Sequence, residues 1–321
     1  MKHSFKTALL LILFGGSIGI AGTDGYLADA AHELEGIKPD IVLLGNSMLG
    51  RGIDKDIIEK QTNLKVLKTY VSGSATAIWY LYIKNVVLSA KDKPKTLVVF
   101  FRDYFLTIPD FRVGGKYRKT VKMLSIGIEA KLEKIAYKRT VSSAMKNMFI
   151  EIRPDLISDI KRLSFKLSRK ILCFFNSQNC SDMIGDYKEV TKRIFNIQTY
   201  NIPIYSKLQF SVEKNHNNFN KDFSSAVQKS FLPTMIDLVK NKKIELIFVR
   251  VKRRNQEKIS RSPELSKYIL DLKKYLTERE VRLIDFTNNM EITPEHYADG
   301  DHLNSRGRIV FSSLLAKELQ H

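Results

Sequence analysis

The chain has 321 residues, enough for one large domain or two smaller ones. It is 44% hydrophobic and 27% charged, which permits a substantial core and excludes wholesale disorder. The net charge of +19 and pI of about 9.7 point to anionic surroundings: nucleic acid, an acidic membrane surface or an anionic polymer. No zinc-ligand spacing and no base-reading helix motif favours nucleic acid among these.

The N-terminus bears on the compartment. Lys2, His3 and Lys6 precede an uncharged, mostly apolar run, ALLLILFGGSIGIAG, over 8–22. A basic start before an apolar core of this length marks a signal anchor or a cleaved secretory signal, rather than a buried core helix. The run is shorter than the ~20 residues of a comfortable membrane span, and no clean A-x-A cleavage site follows it. An uncleaved anchor is the favoured expectation, with Lys2 and Lys6 inside and the rest exported to the periplasmic face of the membrane. Export, in turn, argues against nucleic acid as a partner. The connecting residues 23–39 are expected to carry little structure.

The stretch 40–50, DIVLLGNSMLG, places four apolar residues, Ile41 to Leu44, before Gly45, Asn46 and Ser47. This is a short buried strand with a polar tip. Ligands of open α/β sheets bind just past the carboxyl ends of such strands, so Ser47 is a candidate nucleophile. Asn and Ser are also good helix caps, and capping is the competing reading of the same residues. A short helix follows, with Asp54 as its cap and Ile57 and Ile58 on its buried side. A second strand is expected over 64–71, ending in Ser72-Gly73-Ser74. A helix is expected over 75–90, with Ile78, Tyr82, Val86 and Val87 along one face. Pro94 breaks it. TLVVFF over 96–101 reads as a third strand, ending in Arg102-Asp103-Tyr104. Strand and helix alternate to this point, as in a parallel sheet with helices on its faces.

The rhythm changes from Phe111. Residues 116–172 hold 15 Lys and Arg against 5 Asp and Glu, with helical spacing of apolar residues and no strong strand pattern. A basic, mainly helical insertion is expected over 111–235. Its charges form either a solvated helix face or a surface for anionic lipid headgroups or a charged polymer, where each cation contributes ~1 kcal/mol. Within it, Cys173 and Cys180 are the chain's two cysteines. In an exported protein they can close a small disulfide loop, or they are two unrelated buried thiols. No His or acidic cluster accompanies them, so neither a metal nor another cofactor is expected.

Strands return at 244–251 and 281–284, with a helix over 262–275 between them and a last helix over 308–319. Ahead of that last helix stands HYADGDHLNSRG, over 296–307. A serine hydroxyl needs a base to become a nucleophile, and the base needs a carboxylate to orient it. Asp299 and His302, three apart, face the same way in a helical turn, while Asp301 points elsewhere. Asp299 as a cap and His302 as a surface histidine is the plain alternative, since Asp-Gly-Asp is common loop chemistry. The G-x-S-x-G elbow of α/β-hydrolases is absent.

Gly45-Asn46-Ser47 after the first strand, Gly73 after the second, and Asp299-x-x-His302 before the last helix together resemble the SGNH/GDSL hydrolase superfamily. The resemblance spans roughly 40–110 and 240–320. It implies a three-layer α/β sandwich with a mostly parallel, flavodoxin-like sheet of five strands, split between 23–110 and 236–321. It also implies Ser47 as nucleophile, the Ser47 backbone N–H and Gly73 as oxyanion donors, and Asp299 and His302 as the remaining catalytic pair. Two departures stand out. GNS replaces the commoner GDS, at a position that is not itself catalytic. The asparagine of the third block is missing, where the chain reads Phe101-Arg102-Asp103-Tyr104. Losing one oxyanion donor costs about 3 kcal/mol in a transition state. Arg102 is a candidate to replace it with a charged donor, or to pair with Asp103.

An exported chain of this kind is similar to the cell-envelope branch of the superfamily. That likeness implies acyl transfer through an acyl-serine on a surface polysaccharide or related polymer, as acyltransferase or esterase, with a membrane-bound O-acyltransferase as a partner. The alternative is a catalytically weak scaffold that binds an anionic envelope polymer or such a membrane partner.

Overall fold

The computed structural model describes residues 24–139, 222–260 and 262–320. By contacts the chain divides into one unit of Met1–Lys138 with Asn218–His321 and another of Arg139–Asn217. The first unit holds the sheet. The apolar run at 8–22, Cys173 and Cys180 lie outside the described residues.

Five parallel strands form the sheet: β1 (Ile41–Gly45), β2 (Val66–Tyr70), β3 (Thr96–Phe101), β4 (Glu245–Arg250) and β5 (Arg282–Asp285). Their order is β2-β1-β3-β4-β5, the flavodoxin-like arrangement. β1 pairs on both edges, Ile41 standing opposite Val66 on one side and Thr96 on the other. The expectation of a five-stranded parallel α/β sandwich agrees with this sheet.

Alternate residues of each strand enter different layers, as the two-residue period of a strand requires. Val42, Leu44, Val99 and Phe248 pack in the larger core, under α1 (Asp24–Ile37), the helix α4 (Thr76–Tyr82), α5 (Tyr117–Leu124) and two later helices. Ile41, Leu43, Val98, Phe100 and Ile247 pack in the smaller core on the opposite face. That layer is roofed by α2 (Ser47–Gly52), α3 (Lys55–Thr62) and the final helix, which runs Ser305–Leu319. The helices after β1 and after β2 thus cover opposite faces. Connections leave the β1 region in opposite directions, and a crevice opens at the carboxyl ends of β1 and β3.

Three expectations change. Residues 23–39 are not a plain connector: α1 occupies most of them. Leu34 is fully buried, and Tyr26, Leu27 and Ala30 pack on the same core. Those four recur at helical spacing, but Gly36 and interleaved acids dilute the pattern in the sequence. The helix expected over 75–90 stops at Tyr82 and continues as a π-helical turn over Ile83–Val87. The unit boundaries at 139 and 217 lie inside the insertion expected over 111–235. Flanking segments, namely α5, α6 (Ala130–Ile135), α7 (Phe223–Gln228) and α8 (Leu232–Lys240), belong to the sheet-bearing unit, with Val121, Leu132, Val227 and Met235 in its core.

Candidate active site

At the end of β1 the main chain turns in very little space. A Cβ on Gly45 would sit 3.0 Å from Leu49 Cβ and 3.1 Å from Phe100 Cβ, so a side chain there would press on the helix and the neighbouring strand that meet in the smaller core. Asn46 follows with extended backbone and caps α2, its Oδ1 accepting from the Met48 N–H at 2.9 Å. The capping reading therefore holds for Asn46. It does not hold for Ser47, the first residue of the helix, whose Oγ lies 2.9 Å from His302 Nε2.

A second loop braces this turn. After β2, Ser74 is wholly buried and donates from its Oγ to the Gly45 carbonyl at 3.0 Å. The Trp79 indole N–H donates to the same Oγ at 2.9 Å. Asn46 Nδ2 reaches the Ser74 carbonyl at 3.4 Å. These groups meet one another's hydrogen-bonding needs where water does not enter, which fixes the two strand ends relative to each other. Gly73 sits in this loop with φ +74, a conformation that favours glycine. A Cβ there would come within 2.3 Å of the Tyr117 hydroxyl. Arg112 Nη1 donates to the Gly73 carbonyl at 2.8 Å.

His302 arrives on a different scaffold. β6 (Tyr297–Asp299) and β7 (His302–Leu303) form a two-stranded antiparallel ribbon, Asp299 paired by backbone with His302. The helical turn expected to relate those two residues is thus replaced by a tight hairpin. Gly300, at φ +50, supplies the left-handed residue that closing it over two positions requires. The side chain of Asp299 lies outside the described residues. The ribbon is held at its base. The Tyr297 hydroxyl donates to the Lys252 carbonyl at 2.9 Å, and the Asn304 N–H donates to the His296 carbonyl at 2.8 Å. Asn304 then caps the final helix, Ser305–Leu319, through Oδ1 and the Gly307 N–H.

The hairpin tip is tied to the sheet by charge. Asp301 Oδ2 accepts from Arg102 Nη1 at 2.7 Å and from Arg253 Nε at 2.9 Å. Arg253 Nη1 also donates to Asp103 Oδ2 at 2.9 Å. Arg250, only 5% exposed, lies 4.0 Å from Asp103 and donates to Asp285 at 3.0 Å. Three arginines thus meet three aspartates across the ends of β3, β4 and β5 and the His302 hairpin. Burial, followed by the neighbouring charge of Arg253, lowers the Arg102 pKa, yet a guanidinium stays charged in a protein. The pairing of Arg102 with Asp103, one of the two roles the sequence leaves open for Arg102, is not what forms: Arg102 takes Asp301, and Asp103 takes Arg253. The reason is reach across the sheet edge, since Asp103 turns back through a left-handed residue (φ +47).

The sequence-derived residues Ser47, Gly73, Arg102, Asp299 and His302 thus converge on one edge of the sheet, with Ser47 and His302 in hydrogen-bond contact. Ser74, Trp79, Asp301 and Arg253 were not expected to support it. The flanking Ser-Gly-Ser tip was a visible signal for Ser74, and the basic loop after β4 was one for Arg253. Met48 and Leu303, the neighbours of the pair in sequence, line a small recess with Val251, Ile292, Tyr297 and Phe311. No group of His, Cys, Asp or Glu suited to a metal ion occurs among the described residues. Nor is any helix among them long and apolar enough to cross a membrane.

No family model matches the chain, and no curated protein is similar to it. Solved structures are. A GDSL-like lipase from Bacteroides thetaiotaomicron VPI-5482 is 11% identical, with a TM-score of 0.43 over 94% of this chain and 98% of its own. A protein described as an acylhydrolase, from Bacteroides fragilis NCTC 9343, is 11% identical with a TM-score of 0.40, over 95% and 99%. A lipolytic protein assigned to the G-D-S-L family, from Desulfitobacterium hafniense DCB-2, is 8% identical with a TM-score of 0.39, over 86% and 97%. Folds of this kind carry many chemistries, so function is argued from the site itself.

Proposed function

We propose that the chain is an SGNH-type serine hydrolase or O-acyltransferase that forms an acyl-serine on Ser47. The single observation that carries this reading is the 2.9 Å contact between Ser47 Oγ and His302 Nε2 at the carboxyl end of β1. That is hydrogen-bond reach for a nucleophile and its base. His302 Nε2, unprotonated, takes the Ser47 proton as Oγ attacks the ester carbonyl. The tetrahedral oxyanion is met by the backbone N–H groups of Ser47 and Gly73. Collapse expels the alcohol, which receives its proton from His302. Water or a sugar hydroxyl then gives its proton to His302, attacks the acyl-serine and carries the acyl group away, returning Ser47 to its starting form. Asp299 holds the Nδ1–H side of the imidazole. Directly opposed ribbon residues are near neighbours, and the Asp299–His302 backbone pairing supports this role.

The finer reading adds a place and a polymer. The basic and apolar start of the chain supports export and anchoring on the periplasmic face, and the charge of +19 supports an anionic envelope polysaccharide as substrate. A membrane-bound O-acyltransferase would then supply the acyl group.

A fluorophosphonate probe tests the chemistry. It should label the intact protein at Ser47, and Ser47→Ala and His302→Ala should each lower acetyl-ester turnover by about 10⁴-fold or more, the scale of losing a nucleophile or its base. Unlabelled protein whose turnover equals that of both variants would end the catalytic reading. One observation favours the second reading, a polymer-binding scaffold: the third-block asparagine is absent and Arg102 is engaged with Asp301. That reading predicts salt-sensitive polymer binding which survives loss of Ser47.

A further inference from the structure

Rings and cations form a row that starts at the end of β3. The Arg102 guanidinium stands 5.0 Å from the centre of the Phe105 ring, and Phe105 meets Phe111 at 4.9 Å. Arg112 lies 4.7 Å from the Phe111 ring centre and 5.6 Å from that of Tyr117. Lys116 Nζ is 5.3 Å from the Tyr117 ring. The row finishes at Gly73, whose carbonyl binds Arg112 and whose α-carbon faces the Tyr117 hydroxyl. Gly73 follows β2, Arg102 follows β3, and β1 lies between those strands. The row therefore runs past the strand end that bears Ser47.

The charges along it differ in kind. Arg102 is neutralised by Asp301. Arg112 and Lys116 have no carboxylate partner among the described residues. Arg112 is also held at φ +59, a left-handed conformation that a non-glycine residue adopts at a cost. One of its nitrogens is fixed on Gly73, and its plane is flanked by two rings. The result is a guanidinium set in place at the site edge with donors to spare, and a guanidinium matches a carboxylate or phosphate in shape as well as charge. A half-buried tyrosine ring beside this guanidinium and the Lys116 ammonium offers an apolar face to the body of a sugar.

We propose that Arg112, Lys116 and the ring of Tyr117 form a subsite for an anionic substituent, a carboxylate or a phosphate, on the sugar whose ester meets Ser47. This rests on the acyl-transfer reading and names the substrate feature that the site selects. Arg112 and Lys116 bind the anion, Tyr117 carries the ring, and the ester oxygen lies toward Ser47 and Gly73.

The test compares three acetyl esters of matched size: an O-acetylated uronate disaccharide, an O-acetylated disaccharide phosphate and an O-acetylated neutral disaccharide. The intact protein should favour one or both anionic esters by about tenfold or more in kcat/KM, chiefly through KM, and the preference should shrink as salt rises. The two anionic arms tell carboxylate from phosphate. In the double variant Arg112→Gln/Lys116→Gln the ratio of anionic to neutral rates should fall toward one. A ratio, unlike a rate, is insensitive to a general loss of activity through the Gly73 loop. An unchanged ratio in the double variant overturns the subsite. If instead Ser47→Ala turns over all three esters as fast as the intact protein, the acyl-transfer reading falls. The subsite is then decided by binding of the unacetylated uronate and phosphate disaccharides to Ser47→Ala protein. Adding the double substitution should weaken the favoured one about fivefold or more, and equal affinity overturns the proposal on its own terms.

Discussion

The two halves of the site are held by different physics. Ser47 stands on neutral hydrogen bonds sealed from water: Ser74 and Trp79 are 0% exposed and Asn46 is 5% exposed. His302 stands on a hairpin steered by ion pairs that solvent reaches, with the side chains of Asp301, Arg102 and Arg253 at 19%, 22% and 29% exposure. Sealed neutral networks are insensitive to salt and costly to interrupt, because an orphaned donor finds no water. Partly solvated ion pairs are screened and individually weaker. The nucleophile is thus set by packing, while the base is set by a balance of charge that ionic strength can shift.

Substitutions can break that contrast, and the largest effect belongs to the sealed half. Gly73→Ala forces a Cβ into the Tyr117 hydroxyl and onto a φ of +74. Turnover should fall about 10²-fold or more, the scale of a displaced oxyanion donor, and kcat on a small acetyl ester measures it. Ser74→Ala leaves the Trp79 indole N–H without its acceptor in a dry interior. It should cost about 1–3 kcal/mol of stability, read from denaturant midpoints, with little dependence on salt. Asp301→Asn removes a charge shared by Arg102 and Arg253. It should lower kcat by about tenfold at low salt, and less as salt rises, because the pairs it breaks are already partly screened. If Ser74→Ala proved the salt-sensitive variant and Asp301→Asn the insensitive one, the contrast would be reversed.

What was legible in the sequence follows from range. The runs at Ile41 to Leu44 and Thr96 to Phe101 are continuous and apolar because their strands are buried on both faces, and that signal is local. Ser47 and His302 were legible because each sits in a short motif at a strand end or before a helix. The support between them was not. Arg102 and Asp301 are 199 positions apart, and no local pattern says which aspartate an arginine at a strand end will choose. Asp299 and His302 at a spacing of three suit a helical turn and a two-residue hairpin equally; the left-handed Gly300 decides for the hairpin. The apolar stripe of α1 is too narrow to stand out among its acids, and only the core beneath Leu34 reveals it.

That helix has a mechanical consequence. Fourteen residues of helix make a rod about 20 Å long. Leu34 rivets its far end to the sheet-bearing unit three residues before the chain turns toward β1. Whatever is joined ahead of Asp24 therefore connects to the Ser47 edge through a rigid strut and not through slack chain.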